Sequence, residues 1–580
     1  MIQLKGDLVI HSTNSKNSPS ITEAFMRQQA KTSGLSVQAI AGSYVVLLGM
    51  NMPKSAVKGV LGFAIERIDH TEDERYWLKG FKTFEETDPG VPTGSLVSSL
   101  EHPIQAFLWG DFTAKPNHRY TYRVVAMRGK PKKLEPAETV ELTIQTEDEA
   151  QGTHVVYFNR GVAGSQAYAR KFKNKKPDQV ANDAAWQWLS RGLVEALLAF
   201  IAQAKGSRYS LRAALYEFHH LPVLQAFGAA AQSGAEVKIV YDAKENQGNY
   251  PNKANRKAIA QAGIEALTIP RQANSSYIAH NKFIVLLKDG QPVQVWTGST
   301  NITDGGLYGH SNVGHVVRDA KIASQFLDYW TALSQDTPAK ALRPLNDDRT
   351  PVPQKKLKSG EMHPIFSPRS SLEALDWYAQ QMDTAKSAIF FTAAFGVNDQ
   401  LESILSQDKD YLRYILLEKD GGDIESLRRD QDNRIAVGSV MKDNRDQEDK
   451  PSGEILDRWN YEKTTGLNTH VRFIHTKYLL VDPLGKNPLV VTGSANFSEA
   501  STRNNDENML LIQGDTRVAD IYLGEFMRLF NHFYTRYWMQ VNRTAETVSS
   551  RYLVPNDSWT TEYYVKDSPK AKERLYFSGK

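Results

Sequence analysis

The chain contains no cysteine, which excludes disulfides, thiolate metal sites and cysteine nucleophiles and removes thiol redox chemistry from consideration. It has no run of about 18 apolar residues, the length a membrane-spanning helix requires. Its first residues, Met1-Ile2-Gln3-Leu4-Lys5-Gly6-Asp7, do not pair a basic segment with an apolar one, so a Sec signal is not expected and the reading is a soluble, cytoplasmic protein. Net charge is small: 70 Lys and Arg against 66 Asp and Glu give +4, so any surface for a polyanion must be local. Nor is the composition that of a disordered or fibrous chain, because 41% hydrophobic, 23% charged and 10% aromatic residues are globular values. What the chain does have is length. At about 150 residues per domain, 580 residues predict roughly four domains, or fewer if one is a large two-lobed unit.

Residues 1–150 read as short β runs between turn residues, among them Tyr44–Leu48, Ala56–Phe63, Ile104–Trp109 and Thr139–Ile144, a spacing that predicts an all-β sandwich. Within Lys115–Ala126 the period-two pattern after a turn resembles the penultimate strand of fibronectin type III domains, with Tyr120 as the tyrosine corner. Residues 151–180 include the run Arg170-Lys171-Phe172-Lys173-Asn174-Lys175-Lys176 and read as a basic linker. From 181 to 336 the pattern becomes α/β, with a helix over Trp186–Ala204 and strands at Ala213–Phe218 and Val237–Tyr241. Six prolines between 337 and 370 rule out a continuous helix or central strand there and predict a linker. The α/β pattern then restarts and fills 371–580, with a helix near Leu372–Lys386, strands Ala388–Thr392 and Leu412–Leu417, and a C-terminal extension. A polar loop is expected between Asp420 and Thr469.

One constellation occurs twice. His280-Asn281-Lys282 is followed by Thr297-Gly298-Ser299-Thr300-Asn301, and His475-Thr476-Lys477 by Thr492-Gly493-Ser494-Ala495-Asn496, with every corresponding pair 195 residues apart. A lone His-x-Lys is uninformative; two copies, each followed at one fixed distance by Thr-Gly-Ser-x-Asn, predict a duplicated α/β unit. Residues two apart on a strand share a face, so each His points with its Lys, and Ser299 and Asn301, or Ser494 and Asn496, do the same. Two units about a pseudo-twofold would gather two His, two Lys, two Ser and two Asn around one cavity. That set suits a phosphodiester: ammonium and amide groups hold the non-bridging oxygens, one imidazole attacks phosphorus and the other protonates the leaving oxygen, with no metal or other cofactor called for. His219, His220, His310 and His315 lack such companions and are read as structural.

The two motifs resemble those of the phospholipase D superfamily, H-x-K-x4-D followed by G-S-x-N, over residues 180–540. The resemblance implies two α/β halves sharing one active site and a phosphohistidine intermediate formed without metal. The second motif is complete, with Asp482, and Asn505-Asp506-Glu507 matches the downstream N-x-E; in the first, Leu287 replaces the Asp and Asn312 stands where Glu507 stands in the second. In the family an acid of one half orients the histidine of the other, which implies Glu507 acting on His280 and Asn312 on His475. A nucleophile that becomes a charged phosphoimidazole gains from a carboxylate, so His280 is read as nucleophile and His475 as general acid, then base.

Three function classes fit. A metal-independent nuclease on DNA or RNA is favoured by the pI of 8.7 and by Lys244, Lys253, Arg256, Lys257 and Arg271 near the first motif. A phospholipase D or transphosphatidylase acting on lipid head groups is the alternative, since the chemistry does not read the alcohol. A non-catalytic phosphodiester-binding protein is the third, and the intact His-x-Lys pairs argue against it. The partner expected is a phosphodiester, nucleic acid ahead of phospholipid; oligomeric state is not legible.

Overall fold

A computed structural model describes residues 26–580 except 93, 149–151, 162–164, 246–250, 274–276, 395, 420–423, 440–472 and 542–551. The strand-rich N-terminal region forms two four-stranded sheets. Arg27–Lys31, Ser36–Ala41, Val46–Asn51 and Leu108–Asp111 make one; Lys133–Gln145, Arg119–Lys130, Val60–Asp69 and Glu74–Trp77 make the other. Their facing side chains, including Val37, Leu48, Phe63, Ile65, Tyr122 and Val124, close into one core. The Tyr120 hydroxyl accepts a 2.9 Å hydrogen bond from the Lys115 amide, the contact of a tyrosine corner.

The remainder is built twice. The first seven-stranded sheet runs in the order His154–Phe158, Val313–Val317, Gln291–Gly298, Lys282–Lys288, Tyr209–Leu215, Glu236–Asp242, Thr268–Arg271. The second runs Met362–Ser367, Glu507–Gln513, Leu489–Gly493, Tyr478–Val481, Ala388–Ala393, Leu412–Leu417, Asn433–Val437. The two agree position by position, and in both the last three strands are parallel while the others pair antiparallel. The chain is therefore an α/β duplication behind a β domain. Helices Ala320–Ser334 and Thr516–Val541 lie between the sheets, and their Phe326, Trp330, Tyr522 and Phe526 join Phe283, Val285, Phe390 and Leu480 in one shared core. Each outer sheet face carries its own helices and core.

Several sequence expectations need correction. The segment read as a basic linker opens with His154–Phe158, an edge strand of the first sheet. The proline-rich stretch holds helix Ala339–Arg349, with Pro344 inside, and strand Met362–Ser367; Pro364 is tolerated because that strand is an edge. The single helix expected over Trp186–Ala204 is two, Ala184–Ser190 and Leu193–Ala202, broken where Arg191 and Gly192 take positive φ. The break turns the Arg191 guanidinium onto Glu525 of the second half, at 2.6 and 2.9 Å. The first part of the expected polar loop is helix Ile424–Arg428 and strand Asn433–Val437, and its charged run at 443–450 lies outside the described residues. The C-terminal segment folds back on the β domain: Trp559 donates to the Val60 carbonyl at 2.9 Å and Tyr564 to the Met52 carbonyl at 2.8 Å. Among the described residues no helix is long and apolar enough to cross a membrane.

Candidate active site at the junction of the halves

Strands Lys282–Lys288 and Tyr478–Val481 sit at equivalent places in the two sheets, so each presents its His-x-Lys at the same end. A two-way exchange of backbone joins the halves there. Ser311 N–H donates to the Phe473 carbonyl at 2.8 Å, and the equivalent Asp506 N–H donates to the Ile278 carbonyl at 3.1 Å. The segment before strand Val313–Val317 therefore runs beside His475, and the segment before Glu507–Gln513 runs beside His280. The two imidazoles come to 6.5 Å between ring centroids at 78°.

Each ring is anchored through Nδ1 by the opposite half. His280 Nδ1 lies 2.8 and 3.0 Å from the Glu507 oxygens, and a carboxylate only accepts, so Nδ1 carries the proton. Ser494 Oγ and Ser501 Oγ also donate to Glu507, at 2.7 and 3.1 Å. His475 Nδ1 lies 2.9 Å from Asn312 Oδ1, which also accepts from Ser299 Oγ at 2.8 Å. The Asn312 amide is oriented because its Nδ2 donates to the Gly306 carbonyl at 2.7 Å; His475 Nδ1 is thus a donor too. In both rings the anchor takes Nδ1, which leaves Nε2 as the nitrogen with its lone pair. Ser299 and Ser494 therefore serve the orienting groups rather than the cavity directly. The glycine before each serine is a matter of space: a Cβ on Gly298 would meet the Val313 carbonyl oxygen at 2.2 Å, and one on Gly493 the Asn508 carbonyl oxygen at 2.2 Å.

Lys282 and Lys477 are buried, and each donates to the carbonyl of its own motif histidine, at 2.5 and 2.6 Å. Burial pushes Lys282 down to about 8, against the pull of Glu507 and Glu217. Lys477 is held well below its usual range by burial and by Lys282. Burial also takes His280 down to about 4, partly opposed by Glu507. His475 is depressed well below the usual range by burial, Lys477 and His310, with no carboxylate to restore it. Asn301 donates to Glu217, while its Oδ1 and that of Asn496 are buried without a partner among the described residues.

Three features escaped sequence reasoning. Asp242 Oδ2 accepts from the Ala279 amide at 2.8 Å, and Glu418 Oε2 from the Ile474 amide at 2.7 Å; each buried acid holds the residue just before a motif histidine, and an acid ending or following a parallel strand was the available signal. His310, read as structural, lies against His475 with ring centroids 4.5 Å apart; its equivalent 195 residues on is Asn505, so alignment of the repeats could have raised it. Asp482 belongs to the fold: it accepts from the amides of Lys386, Ser387 and Ala388 at 2.7–3.1 Å, while Leu287 lies in the apolar core. Two of the basic residues assigned to a polyanion surface are not on it. Arg271 is buried and bidentate to Asp506 at 2.8 and 3.2 Å, and Lys244 is buried with Nζ 3.1 Å from the Tyr277 carbonyl. Lys253, Arg256 and Lys257 are exposed along helix Asn252–Ala262. His219 and His220 are half-buried, and His220 pairs with Asp304 at 2.7 Å. His315 is buried between His154 and Tyr522.

The family model for the cardiolipin synthase, PLD-like domain matches residues 197–333 and 405–530, one stretch around each motif. Nuc from Salmonella typhimurium, a phospholipase D family member, is 31% identical over 25% of this chain and 87% of its own, with a TM-score of 0.20. The chain belongs to the phospholipase D superfamily. Superfamily members act on phosphodiesters, and the paired sheets are the duplicated form of that architecture. The phosphatidylserine synthase of Haemophilus influenzae is similar at 13% identity over 62% of this chain and 89% of its own, TM-score 0.39. The polyphosphate kinase of Porphyromonas gingivalis is similar at 12% identity over 59% of this chain, TM-score 0.38, and this chain spans 48% of the kinase's length. No curated protein matches the chain.

Proposed function

We propose that this phospholipase D superfamily chain cleaves nucleic acid phosphodiesters through a phosphohistidine, with every reacting group supplied by side chains. The observation that carries this reading is the unequal anchoring of two facing histidines, one on a carboxylate and one on an amide. His475 acts as the imidazolium, taking a second proton on Nε2 as the anionic diester enters and offsets the charge of Lys477 and Lys282; His280 Nε2 then forms the bond to phosphorus as the bond to the leaving oxygen breaks, and His475 Nε2 gives that oxygen its proton. The imidazole becomes cationic on phosphorylation, and Glu507 offsets that charge. His475 then takes a proton from water as the hydroxide displaces His280. Lys282 and Lys477, with Asn301 and Asn496, compensate the non-bridging oxygens. The depressed lysines regain full charge when the anion enters.

Exposed Lys253, Arg256 and Lys257 on one helix of the first half support a polyanionic substrate. Tyr216 adds an aromatic ring 4.9 Å from His280, a surface of the kind bases stack on. The test uses His280→Asn protein to measure binding to single-stranded DNA, duplex DNA, RNA and neutral or anionic vesicles across a salt series. Active protein is assayed in parallel, with chelator present, for cleavage of each polymer and for choline release. Log affinity for nucleic acid should fall linearly with log salt, by about 0.9 per duplex phosphate contact or about 0.7 on single strands, and cleavage should persist in chelator. Choline release with no cleavage of any polymer would replace this reading with the phospholipase D one.

A further inference from the structure

We infer that His310 is a positioning residue for the acid side of the reaction, fixing the amide that decides which nitrogen of His475 carries a proton. The inference rests on the two-histidine reading above. Asn312 Nδ2 has two hydrogens and two acceptors, the Gly306 carbonyl at 2.7 Å and His310 Nδ1 at 2.8 Å. Since an amide nitrogen cannot accept, His310 Nδ1 must hold a lone pair and its proton must sit on Nε2. With both hydrogens engaged, Oδ1 is forced toward His475 Nδ1 and Ser299 Oγ. If the amide turned over, its NH2 would face His475 Nδ1, the neutral ring would move its proton to Nε2, and the cationic form, with N–H on both sides, would be repelled. The ring would then be a poor proton donor to the leaving oxygen and a poor acceptor from water. His310 also packs on the His475 ring at 4.5 Å and a 40° tilt, so one residue sets both the amide and the plane of the imidazole.

The comparison within the chain sharpens this. On the other side of the site the place of His310 is taken by Asn505, whose Oδ1 accepts from the Ile278 amide at 3.3 Å. Glu507, having no NH2, cannot be turned the wrong way and needs no such keeper. The histidine stands where the orienting group is an amide. His310 itself touches the proton path only through Asn312 and His475, and burial with Lys477 and Lys282 nearby keeps it neutral.

A general acid matters in proportion to how poor the leaving group is, which separates positioning from mere packing. Three proteins, wild type, His310→Phe and His310→Asn, are compared on a methyl aryl phosphodiester series running from nitrophenol to unactivated phenol. Phenylalanine keeps the ring and loses the acceptor; asparagine keeps an acceptor at the Nδ1 position and loses the ring. We expect His310→Phe to lose about 10- to 100-fold in kcat/KM on the phenol ester, a partial loss reaching only the lower end of the roughly 10²- to 10⁴-fold that a general acid contributes, and less than about threefold on the nitrophenol ester. His310→Asn should restore most of the difference. Equal losses on both esters, or none on either, would overturn the assignment. NMR of protein labelled with 15N-histidine reads the same point without turnover: His475 should hold its proton at Nδ1 in wild type and divide it between the nitrogens in His310→Phe. An unchanged tautomer would also overturn it. Wild-type protein inert on every diester but with the expected tautomer shift would count against the proposed function and not against this role of His310.

Discussion

Glu507→Gln removes one charge from the wall that holds His280 and changes almost nothing in shape. Two losses follow. The His280 Nδ1–H contact at 2.8 Å drops from charge-assisted to neutral, and hydrogen bonds to charged groups contribute about 1.5–3 kcal/mol against about 1 for neutral ones. More important is the proton's address. Ser494 and Ser501 both donate to the carboxylate, so they compete for the single remaining oxygen of glutamine, and the new NH2 is turned toward His280 Nδ1 for part of the time. Nδ1 then accepts, Nε2 carries the proton, and the nucleophile is blocked. Turning a histidine-orienting carboxylate into an amide costs about 10⁴-fold in kcat where the wrong tautomer results. A mixed population here should cost about 10²- to 10⁴-fold, or about 3–5 kcal/mol at 1.36 kcal/mol per decade. The assay is single-turnover cleavage of a labelled phosphodiester, with phosphoenzyme trapped by acid quench and circular dichroism to confirm folding. Folded Glu507→Gln that keeps more than a third of wild-type kcat and accumulates normal phosphoenzyme would refute both the assignment of His280 and the tautomer argument. Asn312→Asp is the matching control: it adds a carboxylate beside His475 and should raise that imidazole's pKa, moving the limb that reports the acid to higher pH.

Lys282, pushed down to about 8, should lose its proton as pH rises through that value, so kcat/KM for an anionic diester should decline above pH 8; a profile flat to pH 9.5 would show that its charge is not what binds substrate. Asp482→Ala strips the acceptor from three amides at the start of strand Ala388–Ala393 and should lower stability by about 1–3 kcal/mol, read from urea unfolding, while folded protein keeps kcat within about threefold. A larger fall in kcat would place that aspartate in the chemistry.

The duplication was legible because both copies keep their spacing, and strand geometry alone then put histidine with lysine and serine with asparagine. Glu507 and Asn312 were legible as counterparts by the same offset. What could not be read was burial across the junction. Arg271 and Asp506 lie 235 residues apart, and nothing in either neighbourhood says that the arginine is neutralised by a residue of the other half, so it was counted as surface charge. His310 was missed for a related reason: its partners are a side chain two residues away and a ring 165 residues away, and an isolated histidine offers no pattern. The two supposed linkers failed differently. Each contributes an edge strand, and an edge carries too few alternating positions, or a proline that only an edge permits, to be recognised alone.

Fusing the two halves into one chain has a consequence for how such a site can change. Were it assembled from two identical subunits, any substitution would appear on both walls at once, and a carboxylate gained for one histidine would be imposed on the other. Here Glu507 faces Asn312, His310 faces Asn505, and Asp482 has no counterpart beyond Leu287. Each wall has been free to drift alone. On the proposed mechanism, asymmetry of that kind would also give direction: a diester entering between two different sides would present only one of its two ester oxygens to the proton donor, and a polymer strand would have to be threaded with a single polarity.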